Sequence, residues 1–322
     1  MIIVTGGAGL IGSAFVSYLN KKGRSDILIV DNLASSEKWK NLVGKNYDEY
    51  IHKDNFIEEL LEGSFPTVEA IIHMGACSST TELDADYLYN NNTEYTRILM
   101  EWSIENNVRF IYASSGATYG DGSKGYSDDH SDIRKLRPLN MYGYSKQLSD
   151  EMAYKNGLLE NVCSLKFFNV FGPNEYHKGS MTSVVLNSFK QIKESGEVSL
   201  FKSDRSDYQD GEQSRDFIYV KDVVKIIYWL LKNPKVNGVY NIGTGNSRTW
   251  NDLVKAVFSA LDLPVNIKYI DMPEHLKHKY QYYTKADNQK IIDAGWKGGF
   301  TTLEDAVKDY VQKYLNKELR IY

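Results

Sequence analysis

Ile2-Ile3-Val4-Thr5-Gly6-Gly7-Ala8-Gly9-Leu10-Ile11-Gly12 stands near the amino terminus. Three apolar residues lead into glycine-spaced residues, and Phe15, Val16 and Leu19 then recur at helical spacing, so the segment reads as buried strand, turn and helix. In such a unit Gly6 permits the tight turn, Gly9 lets the backbone approach a pyrophosphate, and Gly12 lets the helix pack close to its strand. The helix amino terminus then faces the negative charge. The spacing is Gly-x-x-Gly-x-x-Gly rather than Gly-x-Gly-x-x-Gly. A second apolar run, Ile27-Leu28-Ile29-Val30, ends on Asp31, nineteen residues after Gly12, where a carboxylate is placed to meet an adenosine ribose. Strand, loop, helix, strand and acid in this order predict dinucleotide binding.

Outward from that unit, strands and helices alternate, which predicts an α/β fold, a Rossmann-like doubly wound parallel sheet. Strands are expected at 68–73, 109–113, 163–168, 217–220 and 238–243, and helices at 84–106, from near Pro138 through Tyr142 and Lys146, at 223–231 and at 303–314. Beyond Gly172-Pro173 the pattern loosens, and a smaller mixed α/β substrate lobe is expected from about 171–216 and 244–290. Residues 1–170, about 217–243 and the helix near 303–314 then form the NADP-binding domain. The 322 residues, 42% of them hydrophobic, suffice for one large or two closely joined domains. A formal net charge of −4 gives no global pull toward nucleic acid or an anionic membrane, so phosphate binding must be local. Two cysteines, Cys77 and Cys163, fit a reducing compartment. With a strand from residue 2 and no apolar run of about 18 residues, a soluble cytoplasmic protein without a leader is expected. His177 and the other five histidines show no metal-ligand spacing, so no metal site is predicted.

Tyr142 and Lys146 are four residues apart, one helical turn, so phenol and ammonium share a helix face. A free phenol has a pKa near ~10, and Lys146 together with an oxidised nicotinamide is expected to lower it. A phenolate at neutrality takes the proton of an alcohol during oxidation. By itself the spacing also fits a solvated helix pair; beside a dinucleotide loop it predicts redox chemistry on a hydroxyl.

The chain resembles the extended short-chain dehydrogenase/reductase family from end to end. Thr5 to Gly12, Tyr112-Ala113-Ser114-Ser115-Gly116-Ala117-Thr118-Tyr119-Gly120, Tyr142 with Lys146, Phe168-Asn169-Val170-Phe171-Gly172-Pro173, Arg215-Asp216-Phe217 and Asn241-Ile242-Gly243-Thr244-Gly245 are similar to its nucleotide-sugar branch. The resemblance implies that Ser115, with Ser114 as its rival, hydrogen-bonds the reacting hydroxyl beside Tyr142. More narrowly, Gly75-Ala76-Cys77-Ser78-Ser79-Thr80-Thr81-Glu82, Glu175-Tyr176-His177-Lys178-Gly179-Ser180-Met181 and Tyr280-Gln281 with Thr284-Lys285-Ala286-Asp287 resemble the ADP-glyceromanno-heptose 6-epimerases of lipopolysaccharide inner-core synthesis.

That resemblance implies inversion of the exocyclic C6 of an ADP-linked heptose through a transient 6-keto sugar. Tyr142 and Lys178 would be the acid/base pair, one on each face of the carbonyl, exchanging roles after rotation about C5–C6. By the same resemblance Gly6, Gly9, Leu10, Ile11, Gly12, Asp31, Asn32, Met74, Gly75, Ala76, Cys77, Ser78, Asn91, Lys146 and Val170 line the cofactor. Asn169, Ser180, Asn187, Phe201, Arg215 and Tyr280 hold the ADP-sugar, Arg215 as a fork for diphosphate oxygens. Asp31 alone favours NAD, because a carboxylate repels a 2′-phosphate. Lys38 and Lys53 match lysines that compensate in the NADP-binding relatives, so NADP is expected, with NAD the alternative. A homo-oligomer, by resemblance a pentamer, is implied. Met74 stands where the family often has glutamate and Asn187 where it usually has histidine, and the segment 203–213 is a longer loop with Asp204, Asp207, Asp210 and Glu212, expected to face solvent. The rival readings are a UDP-sugar 4-epimerase, which shares Ser115, Tyr142 and Lys146, and a catalytically silent dinucleotide sensor. A 4,6-dehydratase would carry acids after the active-site strand, and Ser115-Gly116-Ala117 has none.

Overall fold

The computed structural model describes residues 1–65, 67–277, 280–318 and 320–322. In chain order the main elements are β1 (Ile2–Thr5), α1 (Leu10–Lys21), β2 (Ile27–Asp31), β3 (Glu49–His52), α2 (Lys53–Leu61), β4 (Ala70–His73), α3 (Ala85–Leu88), α4 (Tyr95–Glu105), β5 (Arg109–Ser115), α5 (Met141–Lys155) and β6 (Val162–Phe167). There follow β7 (Asn169–Phe171), α6 (Val184–Ser195), β8 (Val198–Phe201), β9 (Ser214–Tyr219), α7 (Val220–Lys232), β10 (Gly238–Ile242), β11 (Ser247–Thr249), α8 (Trp250–Ala260), β12 (Ile267–Ile270), α9 (Glu274–Lys277), α10 (Gln289–Asp293) and α11 (Leu303–Lys313).

Seven strands form a parallel sheet in the order β10-β6-β5-β4-β1-β2-β3. Chain order reverses between β1 and β4, and in an open parallel sheet the crevice beyond the strand ends at that switch is where a nucleotide sits. Alternate residues along each strand explain why the sheet is covered on both faces. Ile2, Val4, Ile27, Ile29, Ile72 and Leu165 point into a core shared with α1 and α7, whereas Ile3, Leu28, Val30, Ile71 and Phe110 point into a second core. The doubly wound α/β reading is therefore correct.

One strand lies elsewhere than the alternation suggested. The 217–220 segment does not join the parallel sheet: β9 is the centre of a separate three-stranded sheet, β11-β9-β7, and the helix begins already at Val220. β7 leaves β6 after Phe168 and carries the chain into this sheet, while β8 and β12 make a two-stranded pair. The expected 84–106 helix is interrupted by a π-helical turn, Tyr89–Glu94, between α3 and α4. Such turns widen a helix locally and re-aim the residues on them.

α1 starts without a side-chain cap. Gly9 is its N-cap and its first turn carries no acidic residue, so its leading N–H groups are left for a ligand. The close approach of strand and helix there requires glycine. Gly6 has φ +64°, and a Cβ on Gly12 would lie 2.1 Å from the Gly6 carbonyl oxygen, a backbone atom that cannot rotate away. Gly12→Ala should therefore destabilise the protein by roughly 1–3 kcal/mol, read as a lower thermal midpoint, and should strip co-purifying dinucleotide, read by mass and absorbance.

Candidate active site

Two adjoining cavities open at the switch point. The larger, about 700 Å³, is lined by Gly6, Gly9, Leu10, Ile11, Gly12, Asp31, Asn32, Lys38, Met74 to Ser78, Ser115, Tyr142, Lys146, Asn169, Val170 and Lys178. The smaller, about 160 Å³, continues from Gly6, Asp31, Asn32 and Lys38 to Lys53, Asn91 and Tyr95. Every residue expected at the cofactor thus borders one of two neighbouring spaces. Sequence positions as distant as Gly6 and Lys178 meet there.

Asp31 ends β2 and is 7% exposed. Its Oδ2 accepts from Ala8 N at 2.8 Å, and its Oδ1 accepts from Asn32 N at 2.7 Å and from Lys38 Nζ at 2.6 Å. The carboxylate is therefore neutralised within the protein. Lys53, at the start of α2, is paired with the exposed Asp54 at 2.9 Å and still borders the smaller cavity.

The loop after β4 is fixed by a residue that no sequence motif singles out. Asn92 is fully buried on the π-helical turn; its Oδ1 accepts from Cys77 N at 2.8 Å and its Nδ2 donates to Cys77 O at 2.9 Å and Ser145 Oγ at 3.0 Å. It clamps the Met74–Ser78 loop to α5. The signal in the sequence is an asparagine run, Asn90, Asn91 and Asn92; which of the three turns inward is decided by the π turn.

Tyr142 and Lys146 project from the first two turns of α5, which Asn140 caps by accepting from Gly143 N at 2.8 Å. Ser115 ends β5, and both Ser115 and Tyr142 line the larger cavity. Ser114 is not equivalent, because its hydroxyl is given to Asp150 Oδ2 at 2.7 Å. The structure thus separates the two serines. Burial pushes the Tyr142 phenol up, with Ser115 opposing and Cys77 adding to the rise. Lys146 is itself brought down to about 8 by burial, against the opposing pull of Asp150 and Cys77, and its Nζ is buried without a hydrogen-bond partner among the described residues. A buried ammonium left open toward a cleft fits a ribose hydroxyl or other acceptor of a bound dinucleotide.

Beneath α5 lies a buried ionic network. Lys166 Nζ meets Asp150 Oδ2 at 2.7 Å and Thr118 Oγ1 at 2.7 Å, while Tyr112 and Ser164 hydroxyls donate to Asp150 Oδ1 at 2.9 and 2.6 Å. Burial opposes the charge, yet Lys166 and the surrounding hydroxyls hold the Asp150 carboxyl below its ordinary range. The network joins the strand that carries Ser115 to the helix that carries Tyr142.

The expected substrate residues are divided. Asn169 and Lys178 line the large cleft and Ser180 is exposed beside it, next to Met181. Asn187 spends its side chain on Thr182, with Thr182 Oγ1 at 2.9 Å and Thr182 O at 3.3 Å. Phe201, Arg215 and Tyr280 sit together in a second cluster. The Arg215 guanidinium is 5.3 Å from the Tyr280 ring and 5.5 Å from Trp250, Tyr280 accepts from Trp250 Nε1 at 2.8 Å, and Phe201 meets Tyr280 edge-on at 6.5 Å. Arg215 is buried and donates only to the backbone oxygens of Ser214 and Gln281, with no carboxylate acting on it among the described residues.

In the acidic loop 203–213, Asp204 and Asp207 are exposed, as expected, whereas Asp210 and Glu212 are half-buried. Asp204 pairs with Lys277 at 3.4 Å, Asp207 with Arg205 at 2.5 Å, Asp210 accepts from Ser203 N at 2.8 Å and Glu212 from Asn251 Nδ2 at 2.7 Å. Asp204 and Asp207 are thus paired with cations, and Asp210 and Glu212 with neutral donors.

A glycine loop at an uncapped helix, a serine–tyrosine pair over a buried lysine and a long cleft at the switch point are now in one place. A family model described as the NAD dependent epimerase/dehydratase family matches residues 2–243. The chain belongs to this family. It is 58% identical over 316 residues to the ADP-L-glycero-D-manno-heptose-6-epimerase of Nitratidesulfovibrio vulgaris (strain DP4), covering 98% of each chain. Among solved structures it is similar to the Helicobacter pylori ADP-L-glycero-D-manno-heptose-6-epimerase, with TM-score 0.81 and 27% identity over 97% of this chain and 95% of that one. The Thermotoga maritima UDP-glucose 4-epimerase in complex with UDP-glucose follows the same fold, with TM-score 0.78 and 27% identity over 99% of both chains.

Asp150→Asn should lower stability by about 3–5 kcal/mol, since it leaves Lys166 buried without its counter-charge; urea unfolding reads the loss, and adding Lys166→Met should recover part of it. Folding lowers this carboxyl's pKa, so its contribution is complete above the unfolded value near ~3.9 and is lost as pH falls through the lower folded value.

Proposed function

We propose that the chain inverts C6 of ADP-D-glycero-β-D-manno-heptose to give the L-glycero epimer, in lipopolysaccharide inner-core synthesis, using bound NADP. The observation that carries this reading is the convergence of Lys178 with Tyr142 on one cleft, from separate elements. A reaction in which the hydroxyl proton is taken as hydride leaves one face of the carbon, and a proton is returned to the carbonyl oxygen as hydride comes back to the other face, is served by two such groups. The 58% identical relative bearing this activity in its name supports the choice of substrate.

A bound nicotinamide dinucleotide supplies reversible two-electron oxidation of the alcohol carbon. The residues of the chain do the rest. The glycine turn and the free N–H groups of α1 hold a diphosphate, and Lys146 is left with donors for a ribose. Ser115 and Tyr142 hold the reacting hydroxyl by hydrogen bonds, and the Tyr142 oxygen takes or gives its proton. Lys178 performs the complementary proton transfer after the sugar end has turned. Arg215, a buried guanidinium unmatched by any described carboxylate, fits the substrate's diphosphate, with Tyr280 and Phe201 beside it for the base.

NADP is favoured over NAD by the pairing of Lys38 with Asp31. A carboxylate already neutralised by an ammonium no longer repels a 2′-phosphate, and Lys53 adds a second cation to the same space. The division into a dinucleotide-binding part and a lobe built on β7, β9, β11, β8 and β12 belongs to this reading, as do a homo-oligomer and a cytoplasmic location. Among the described residues no helix is long and apolar enough to cross a membrane.

Incubation of the purified protein with ADP-D-glycero-β-D-manno-heptose, followed by NMR of C6, should show conversion to the L-glycero epimer; conversion of UDP-galactose instead moves the assignment to a 4-epimerase. Lys178→Met should keep the fold and its dinucleotide while epimerisation falls by at least ~10²-fold, and normal turnover in that variant removes Lys178 from the mechanism. Lys38→Ala should weaken NADP relative to NAD by about tenfold, because a charge-assisted contact at a half-buried site is worth on the order of 1.4 kcal/mol. Titration of the stripped protein with each dinucleotide reads the ratio.

A further inference from the structure

The 172–183 segment carries Lys178 to the cleft, and both of its ends are tied to one buried side chain. Glu175 is 1% exposed. Its Oε1 accepts from Ser183 Oγ at 2.7 Å and from Gly172 N at 3.4 Å, and its Oε2 accepts from Ser183 N at 2.5 Å. Ser183 is the N-cap of α6, so the same contacts fix the start of that helix. Lys178 N closes the turn by donating to the Glu175 carbonyl at 3.0 Å. The three donors favour the ionised form of the carboxyl, against burial, which favours the neutral one.

We propose that Glu175 is a positioning residue for catalysis that acts through Lys178: it pins the segment at both ends and supplies the negative field in which the Lys178 amine takes up and returns a proton. The inference rests on the reading of Lys178 as the second acid/base group. Burial works against the Lys178 ammonium, and Glu175 is the charge that works for it. Burial pushes the Glu175 carboxyl up in turn, while Ser183 and Lys178 draw it back. The other titratable groups around the pair stay uncharged near neutrality. His177 is brought down to about 4, first by burial and then by Lys178 and Lys38, and burial raises the phenols of Tyr176 and of Tyr310 on α11. Across the cleft Tyr142 is likewise held as the phenol. Among the described residues, Glu175 is the acid whose charge acts on Lys178.

Glu175→Gln preserves size and most of the hydrogen bonding while removing that charge. In the full-length protein it should keep its bound dinucleotide and leave KM within about twofold, while kcat drops about tenfold or more at the wild-type optimum. The pH–rate profile should move toward acid by ~1 unit. Competitive labelling of the Lys178 amine with acetic anhydride across pH, read by mass spectrometry, should show the same downward displacement. Glu175→Asp, which retains the charge on a shorter stem, should restore part of kcat and show a smaller displacement. An unmoved amine and an unmoved pH profile in Glu175→Gln overturn the proposal. If that variant does not fold, Glu175→Asp decides: wild-type kcat with a wild-type amine titration overturns it. The two readings fail separately, because full turnover in Lys178→Met removes the catalytic lysine whatever Glu175 does to its amine, whereas an inactive Lys178→Met with an undisturbed Glu175→Gln removes Glu175 alone.

Discussion

The carboxylate of Asp31 draws together the end of β2, the glycine turn through Ala8 N, and the following loop through Lys38, and each of these contacts spans a different part of the wall that a dinucleotide must touch. It can do so because β1 and β2 pair in parallel with Thr5 opposite Val30, which brings the two strand ends level. From that point the stitching continues outward. Asn41, 2% exposed, donates to Ala8 O at 2.9 Å and to Asn174 O at 2.9 Å, and Asn174 Nδ2 donates to Ser13 Oγ at 2.9 Å. The glycine loop, α1 and the segment bearing Lys178 thus form one hydrogen-bonded unit. Buried amides that satisfy several backbone groups at once leave few alternative arrangements, which suits a site whose parts must be held within a fraction of an ångström.

The opposite side of the cleft is supported in the same manner by other residues. His73, fully buried at the end of β4, bridges Thr5 Oγ1 at 2.6 Å and Thr96 Oγ1 at 2.9 Å, and burial lowers it to about 3, so it serves as a neutral spacer. Thr5 Oγ1 also accepts from Gly75 N at 3.1 Å. With Asn92 holding the Cys77 backbone, the loop after β4 is secured at both ends, and Cys77 borders the cofactor space. The π-helical turn makes this possible by allowing Asn91 to border the smaller cavity while Asn92 points inward.

Much of this architecture is legible in the amino-acid sequence, for a definable reason. The strands of the main sheet are short apolar runs with alternate residues facing two cores, and a glycine-spaced turn followed by helical spacing is a local pattern; Tyr142 and Lys146 are one turn apart on a single helix. Such features need only near neighbours along the chain. What stays hidden depends on distant ones. Asn41 acts on residues 33 and 133 positions away, and Asp150 on partners up to 38 positions away. Asn92 looks no different from Asn91, and Glu175 is only one letter of the segment that points to Lys178. β9 carries a buried strand pattern, yet pattern alone does not say which sheet receives it; β7, leaving β6 after Phe168, decides that.

The charges of the site complete the physical picture. A chain with a formal net charge of −4 places Lys146 and Lys178 on the wall of one cleft and buries Arg215 in a second cluster. Burying an ammonium or guanidinium without a paired carboxylate costs several kcal/mol, and the molecule demonstrates elsewhere that it can supply such a partner, as Asp150 does for Lys166. The imbalance at the cleft is therefore local and follows from where carboxylates are engaged: Asp31 by Lys38 and backbone N–H groups, and the acids of the 203–213 loop by their own loop and its neighbours. What remains is a cleft with Lys146 and Lys178 on its wall beside the uncapped start of α1, a setting that favours a ligand bearing phosphate.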